Sequence, residues 1–111
     1  MTSPESPARS SLEISVVDYP GAVPRMWTLT CDPLGGDHPA AEAACHALEA
    51  AADPFAPVPA DLGCIQVYGG PEIATITGHW DGRPVAATYR RSDGCEIARW
   101  DALAAVLAPP G

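Results

Sequence analysis

Lysine is absent from this sequence of 111 residues, and all six of its basic side chains are arginines. Fourteen acidic residues oppose them, which gives a formal net charge of -8. A chain with this charge is repelled by phosphate backbones and by anionic lipid surfaces. The composition therefore argues against nucleic-acid and membrane partners.

Long apolar runs are also missing. No run approaches the roughly 20 residues that a bilayer-spanning helix requires. Residues 1–10 are rich in serine and proline and lack the apolar core of a signal peptide, so we predict a flexible N-terminal leader there and one domain over residues 11–111. Aromatic residues are scarce at 6%, whereas 13 prolines and 10 glycines indicate short elements joined by ordered turns.

The residue pattern of a catalytic or metal site is not found. His38, His46 and His79 show neither H-x-x-x-H nor H-E-x-x-H spacing, and the acidic residues are scattered as on a solvated surface. His38 stands directly before Pro39 and fits the start of a helix. We predict no enzyme activity, no catalytic residue, no metal and no cofactor.

The cysteines Cys31, Cys45, Cys64 and Cys95 are far apart, without a C-x-x-C pair, which argues against a zinc site or a thioredoxin-like redox centre. Their even number in a short chain favours two disulfides, for which three pairings exist, each bond contributing ~3 to 4 kcal/mol. Disulfides persist in oxidising compartments, so we predict a secreted protein whose signal peptide is absent from this chain. Four reduced, buried thiols in a cytosolic protein are the alternative.

Four segments have the pattern of β-strands. Residues 11–18 alternate apolar and polar side chains, and residues 25–31 are rich in β-formers and suit a hairpin partner. Residues 72–80 and 83–92 are separated by Asp-Gly, which is a strong signal for a tight turn.

One segment, residues 39–52, predicts a main helix, with Pro39 at its first position and an apolar stripe made of Ala41, Ala44, Cys45 and Leu48. Residues 92–107 predict a turn or a short second helix. Phe55, Val58 and Leu62 are predicted to anchor a surface loop. The fold class is α+β: an antiparallel sheet of about five strands, with the main helix and a short second helix on one face, and two disulfides.

The stretch GCIQVYGGP, residues 63–71, fits neither a helix nor a central strand, because Gly-Gly-Pro interrupts both. A cysteine precedes its apolar side chains and a proline follows them. We predict an exposed, extended loop that a cysteine ties down at one end.

Four motifs resemble one known family. LTCDPLGGDHPAAEAACHAL (29–48), CIQVYGGP (64–71), GHWDGRPV (78–85) and GCEIARW (94–100) are similar to the Streptomyces subtilisin inhibitor family of secreted protease inhibitors. The resemblance implies the pairings Cys31–Cys45 and Cys64–Cys95, a five-stranded sheet and a homodimer through the sheet's free face. It also implies a subtilisin-like serine protease as partner.

The same resemblance implies a substrate-like reactive loop whose scissile bond is Gln66–Val67. The loop comprises Gly63, Cys64, Ile65, Gln66, Val67 and Tyr68. Two positions depart from the family pattern, because Gln66 stands where Met or a basic residue is usual and Ile65 where Pro is usual. Gly69-Gly70 replaces a single residue, from which we expect added flexibility and weaker, more hydrolysable inhibition.

The implied dimer face includes Trp80, which matches an interface tryptophan of the family, and Glu13, where an apolar residue is usual. Two Glu13 carboxylates near a twofold axis would repel each other unless Arg90 or Arg91 compensates. Two alternatives to inhibition remain at this stage. The chain could be a non-inhibitory binding module, or Gln66, its single glutamine, could be an acyl donor for a transglutaminase.

Overall fold

The computed structural model describes residues 9–109, so most of the predicted leader, residues 1–8, lies outside the described residues. The described part contains four strands and three helices. They are β1 (Ser10–Val17), β2 (Arg25–Cys31), α1 (Ala41–Ala50), β3 (Ile73–Trp80), β4 (Arg83–Arg90), α2 (Gly94–Ala102) and α3 (Ala104–Leu107). Strand β1 begins at Ser10, whose buried hydroxyl accepts a hydrogen bond from Asp81 N at 2.9 Å, so the last leader residue belongs to the sheet.

The strands form one antiparallel sheet in the order β2-β1-β3-β4, with Ile14 facing Trp27 on one side and Ile76 on the other. The Asp-Gly pair makes the predicted tight turn, because Asp81 (φ 51°) and Gly82 (φ 80°) both have positive φ, as a two-residue hairpin requires. The described residues form four strands rather than the about five that we expected, and these four correspond to the four segments with a strand pattern.

One face of the sheet is buried and the other is free of helices. Helix α1 packs on β2, α2 packs on β4, and α3 lies beside α1 and against β1. The alternation in β1 places Leu12, Ile14 and Val16 in the core, where they are at most 2% exposed. The molecule is therefore a two-layer α+β domain whose core lies between the sheet and the helices.

The helices differ in detail from the prediction. Helix α1 begins at Ala41 rather than Pro39, because the Nδ1 atom of His38 accepts a hydrogen bond from Ala40 N at 3.0 Å and holds the chain in a turn first. The expected short second helix is nearly as long as the first, at nine residues against ten, and a further four-residue helix follows it. No helix among residues 9–109 is long and apolar enough to cross a membrane.

The segment between α1 and the predicted loop is anchored by Phe55, which packs against Trp80 with ring centroids 5.8 Å apart. The hydroxyl of Tyr89 donates a 2.6 Å hydrogen bond to the Pro54 carbonyl. Leu62 is 54% exposed and does not anchor the loop, because the turn closed by its N–H to the Pro59 carbonyl directs it outward.

Candidate functional site

Residues 63–71 lie at the surface beside the first turn of α2. The side chain of Ile65 is 78% exposed, that of Val67 47% and that of Tyr68 70%. Gln66, between them, is exposed as well. These three exposed hydrophobic side chains within four residues form an apolar patch on a small acidic protein.

A disulfide fixes the start of this stretch. Cys64 is bonded to Cys95 in the first turn of α2, with Cα atoms 5.4 Å apart and a sequence separation of 31. The other disulfide joins Cys31 at the end of β2 to Cys45 in α1. These are the two pairings that the family resemblance implied.

The carbonyl oxygen of Ile65 holds the middle of the stretch. It accepts hydrogen bonds from Gly94 N at 2.8 Å and from Val67 N at 3.0 Å. The second bond closes a three-residue γ-turn centred on Gln66. The backbone is therefore not fully extended at Gln66, contrary to the prediction, because an intramolecular acceptor takes the Val67 N–H.

The Gln66 side chain folds back on its own loop. Its Nε2 donates a 3.2 Å hydrogen bond to the carbonyl oxygen of Cys64. This contact is exposed, so it competes with water and is weak. The side chain must give it up to enter a partner's pocket.

Gly69, the first glycine of the Gly-Gly pair, is hydrogen-bonded to the connector between β4 and α2, and the added flexibility expected of the pair stays a prediction. Gly69 N donates a 2.7 Å hydrogen bond to the carbonyl of Arg91. A Cβ atom on Gly69 would lie 2.7 Å from Cδ1 of Ile97, so a larger residue at this position would have to displace the end of the Ile97 side chain. Gly69 thus permits close packing on α2.

The start of α2 explains why Cys95 is in position. The Asp93 carboxylate accepts a 2.9 Å hydrogen bond from Glu96 N and caps the helix. Glu96 itself lies in the first turn, where the helix dipole favours negative charge. Asp-x-x-Glu is a capping signal that could have predicted this helix start from the sequence. The capped turn presents both Gly94 N–H and Cys95 to the loop.

Glu13 and Trp80 do not share a face, so the predicted dimer face was wrong in combining them. Glu13 lies opposite Thr28 and Thr77 on the free face of the sheet. Trp80 is on the helix-covered face. Along β3 it falls on the same side as the buried Ala74 and Ile76, and it packs against Phe55 and the core.

The arginines proposed to compensate Glu13 have other places. Arg91 contacts the loop and two carboxylates, Glu72 and Asp101. Arg90 lies opposite Ile73 at the far end of β4, whereas Glu13 lies beside Thr77. Among the described residues, no ion pair of the structure includes Glu13.

The histidines are dispersed. His38 is buried, and because its Nδ1 accepts from Ala40 N, its Nε2 carries the proton and donates to the Val106 carbonyl at 2.8 Å. His46 is exposed on α1, and His79 lies near the end of β3. Within residues 9–109 the single group with metal-ligand spacing is Cys64, Asp93 and Cys95, whose sulfurs are already consumed by the disulfide.

Tyr89 has a strongly perturbed pKa without belonging to this surface. Burial raises the pKa of Tyr89 to about 12, and the nearby Arg99 guanidinium, 4.3 Å from the ring centroid, partly opposes that shift. A fully buried tyrosine that donates to a backbone carbonyl is a packing element. It holds the segment that leads to residue 63.

Comparisons with known proteins agree on one family. The model of the family described as subtilisin inhibitor-like matches residues 8–92. Subtilisin inhibitor-like protein 1 of Streptomyces cacaoi is 43% identical over 81 residues, which cover 68% of this chain and 72% of the relative. Subtilisin inhibitor-like protein 7 of Streptomyces ambofaciens is 44% identical over 82 residues, 70% of this chain and 72% of the relative. Among solved structures, Streptomyces caespitosus sermetstatin in complex with Bacillus licheniformis subtilisin matches with a TM-score of 0.52 and 28% identity, over 80% of this chain and 88% of that chain.

Proposed function

The chain belongs to the subtilisin inhibitor-like family, and from this we propose that it inhibits serine proteases of the subtilisin type through residues 63–68. The observation that carries the proposal is that Ile65, Val67 and Tyr68 are exposed on a backbone that is tied to α2 before Gln66 and to the β4–α2 connector after it. Relatives named as inhibitors and a neighbour solved in complex with subtilisin favour this function over a non-inhibitory module or a glutamine donor.

Docking places the loop in the active-site cleft of the protease. The carbonyl of Gln66 lies against the protease serine, Ile65 precedes it, and Val67 and Tyr68 occupy the leaving-group side. Protease clefts pair with substrate backbone as with an added strand. Because the disulfide and the Gly94–Ile65 hydrogen bond already order the loop, little conformational entropy is lost on binding, which favours tight association.

The covalent step at the Gln66–Val67 bond is reversible. The protease serine oxygen attacks the Gln66 carbonyl carbon, the C–N bond breaks, and the serine proton passes through the protease histidine to the Val67 nitrogen. In reverse, the Val67 amine attacks the acyl ester and the peptide bond re-forms. A leaving amine that stays near the ester favours this reverse reaction over hydrolysis.

The neutral Gln66 side chain indicates the class of protease. An amide cannot form the ion pair that a carboxylate at the base of a trypsin-type pocket offers to arginine or lysine, so trypsin is a poor target. A broad apolar pocket of the subtilisin type accepts the aliphatic part of Gln66. Its amide must then give up its hydrogen bonds to the Cys64 carbonyl and to water and form new ones in the pocket.

The site of action that we propose is extracellular. Both disulfides join segments distant in sequence, and such bonds persist in oxidising compartments. Subtilisin-type proteases and a secreted inhibitor then meet outside the cell. A homodimer through the free face of the sheet is the assembly that we propose.

The test is a titration of subtilisin activity with this protein, in which the intact mass of the chain is read at each time point. We expect stoichiometric loss of activity, with the chain whole or nicked only between Gln66 and Val67. Val67→Asp should weaken inhibition strongly, whereas Val23→Asp, at an 86% exposed valine of the β1–β2 turn, should not. Full protease activity with rapid cleavage at several bonds would refute the proposal.

A further inference from the structure

The two sides of the Gln66–Val67 bond are anchored differently. Before the bond, the chain is tied covalently through Cys64 and by the Gly94–Ile65 hydrogen bond. After the bond, the next cysteine is Cys95 in α2, so no disulfide lies close to the Val67 end. Among the described residues, Val67 N bonds only within the loop, to the Ile65 carbonyl, and the first backbone hydrogen bond from that side to the rest of the domain is the one from Gly69 N to the Arg91 carbonyl, at 2.7 Å.

Arg91 contacts Gly69 from both its backbone and its side chain. The Nε atom donates a long hydrogen bond of 3.4 Å to the Gly69 carbonyl, next to the 2.7 Å bond in which the Arg91 carbonyl accepts. One residue therefore holds both polar groups of the Gly69 backbone.

The guanidinium of Arg91 is itself held by three other groups. Its Nη1 donates to Asp101 Oδ1 of α2 at 3.0 Å, and its Nε lies 3.8 Å from Glu72 Oε2. Its central carbon lies 5.8 Å from the centroid of a Trp100 ring. The Arg91 side chain is 20% exposed and that of Glu72 32%, whereas that of Asp101 is 63% exposed, so solvent screens the Asp101 pair more than the Glu72 pair.

We propose that Arg91 is a positioning residue that keeps the Val67 side of the nicked loop next to the Gln66 side. The inference rests on the proposed function. Hydrolysis adds one water, leaving a carboxylate on Gln66 and an ammonium group on Val67. The disulfide retains the first of these ends, and the Arg91–Gly69 contacts retain the second, two residues away. Resynthesis of the bond, which releases the water again, requires both ends in place.

The decisive variant is Arg91→Met, which keeps an aliphatic stem over Trp100 and removes the guanidinium. Arg25→Met is its matched control, because Arg25 also pairs with a carboxylate, Asp18 at 2.7 Å, and also lies over a tryptophan, Trp27 at 5.6 Å. Each protein is prepared in an intact and in a nicked form. Both forms are incubated with a catalytic amount of subtilisin until the ratio of nicked to intact chain is the same from either starting form. We expect the ratio of nicked to intact chain to rise about tenfold in Arg91→Met and to stay unchanged in Arg25→Met.

Two further variants separate positioning from folding. Arg91→Lys keeps the charge and should restore part of the wild-type ratio. Changing both Glu72→Gln and Asp101→Asn keeps Arg91 but loosens its guanidinium, and should shift the ratio in the same direction as Arg91→Met. Thermal unfolding identifies any variant that has lost the fold.

Hydrogen exchange makes the inference independent of inhibition. If the wild-type chain neither inhibits subtilisin nor is nicked at Gln66–Val67, the proposed function fails. The exchange rate of the Gly69 amide then tests whether the Arg91 side chain holds the Gly69 backbone. We expect faster exchange in Arg91→Met than in Arg25→Met. A folded Arg91→Met protein with wild-type exchange and, where nicking occurs, a wild-type ratio would overturn the inference.

Discussion

The backbone N–H of Gly94, the first residue of α2, donates a hydrogen bond to the carbonyl oxygen of Ile65, the residue before Gln66. The two residues are adjacent in space because Cys64 and Cys95, their chain neighbours, form a disulfide. A Cβ atom on Gly94 would lie 3.3 Å from both the Cβ and the oxygen of Ile65. The helix thus supports the loop at a distance that permits only glycine without adjustment.

Gly94→Ala should displace Ile65 by a few tenths of an ångström and weaken inhibition of subtilisin about threefold, since the loop would lose part of its preorganisation. The free energy of unfolding should change little. Inhibition constants are measured beside those of Ser92→Ala, an exposed neighbour that adds no atoms near the loop. Undiminished inhibition by Gly94→Ala would show that this contact is not important for binding.

Gln66→Met should inhibit subtilisin about tenfold more tightly, because a methionine enters an apolar pocket without desolvating an amide or releasing the Cys64 carbonyl. Gln66→Glu has nearly the same shape as the wild-type side chain and carries a charge, so it should bind more weakly. Inhibition constants for the three proteins provide the test. A Gln66→Met variant no tighter than wild type would contradict the role assigned to this side chain.

Removal of either disulfide should lower stability, but only removal of Cys64–Cys95 should impair inhibition. Replacing either pair by serines should lower the free energy of unfolding by ~3 to 4 kcal/mol, measured by urea unfolding. Loss of Cys64–Cys95 should also turn the chain into a substrate that is cut and released. Loss of Cys31–Cys45, which lies in the core, should leave resistance to cleavage intact wherever the variant is folded.

Tyr89 should make stability depend on pH only in the alkaline range. Its pKa is about 12 in the folded protein against an ordinary value of 10.0, so the folded state binds the proton more tightly. The free energy of unfolding should therefore fall as pH rises from about 10 to about 12, whereas below that range the contribution of this group is fully present and does not vary with pH. Urea unfolding at several pH values should show this slope in the wild type and a reduced slope in Tyr89→Phe.

Glu13→Val should strengthen the homodimer that we propose through the free face of the sheet. Glu13 is exposed between Thr28 and Thr77, and a twofold axis near β1 would bring two such carboxylates together. Light scattering at micromolar concentration should show a larger dimer fraction for Glu13→Val than for wild type. A monomer mass for both proteins would exclude this interface.

Most of the fold could be predicted because its signals are local. The two-residue alternation of Leu12, Ile14 and Val16 defined β1 and its buried face, and Asp81-Gly82 defined a hairpin. The number of strands was overestimated by one for the described residues, because only the four segments with a strand pattern form ladders. The start of α2 was left undecided, although Asp93 and Glu96 carry a capping signal.

The amino-acid pattern is sufficient to predict that residues 63–71 form a loop with apolar side chains between a cysteine and a proline, since Gly-Gly-Pro prevents regular structure there. How that loop is held depends on contacts with distant parts of the chain. The Gly94–Ile65 and Gly69–Arg91 hydrogen bonds both depend on α2 and its connector lying beside the loop. These partners are more than 20 residues away in the chain, and no local pattern specifies such pairings. Chain packing alone brings them together.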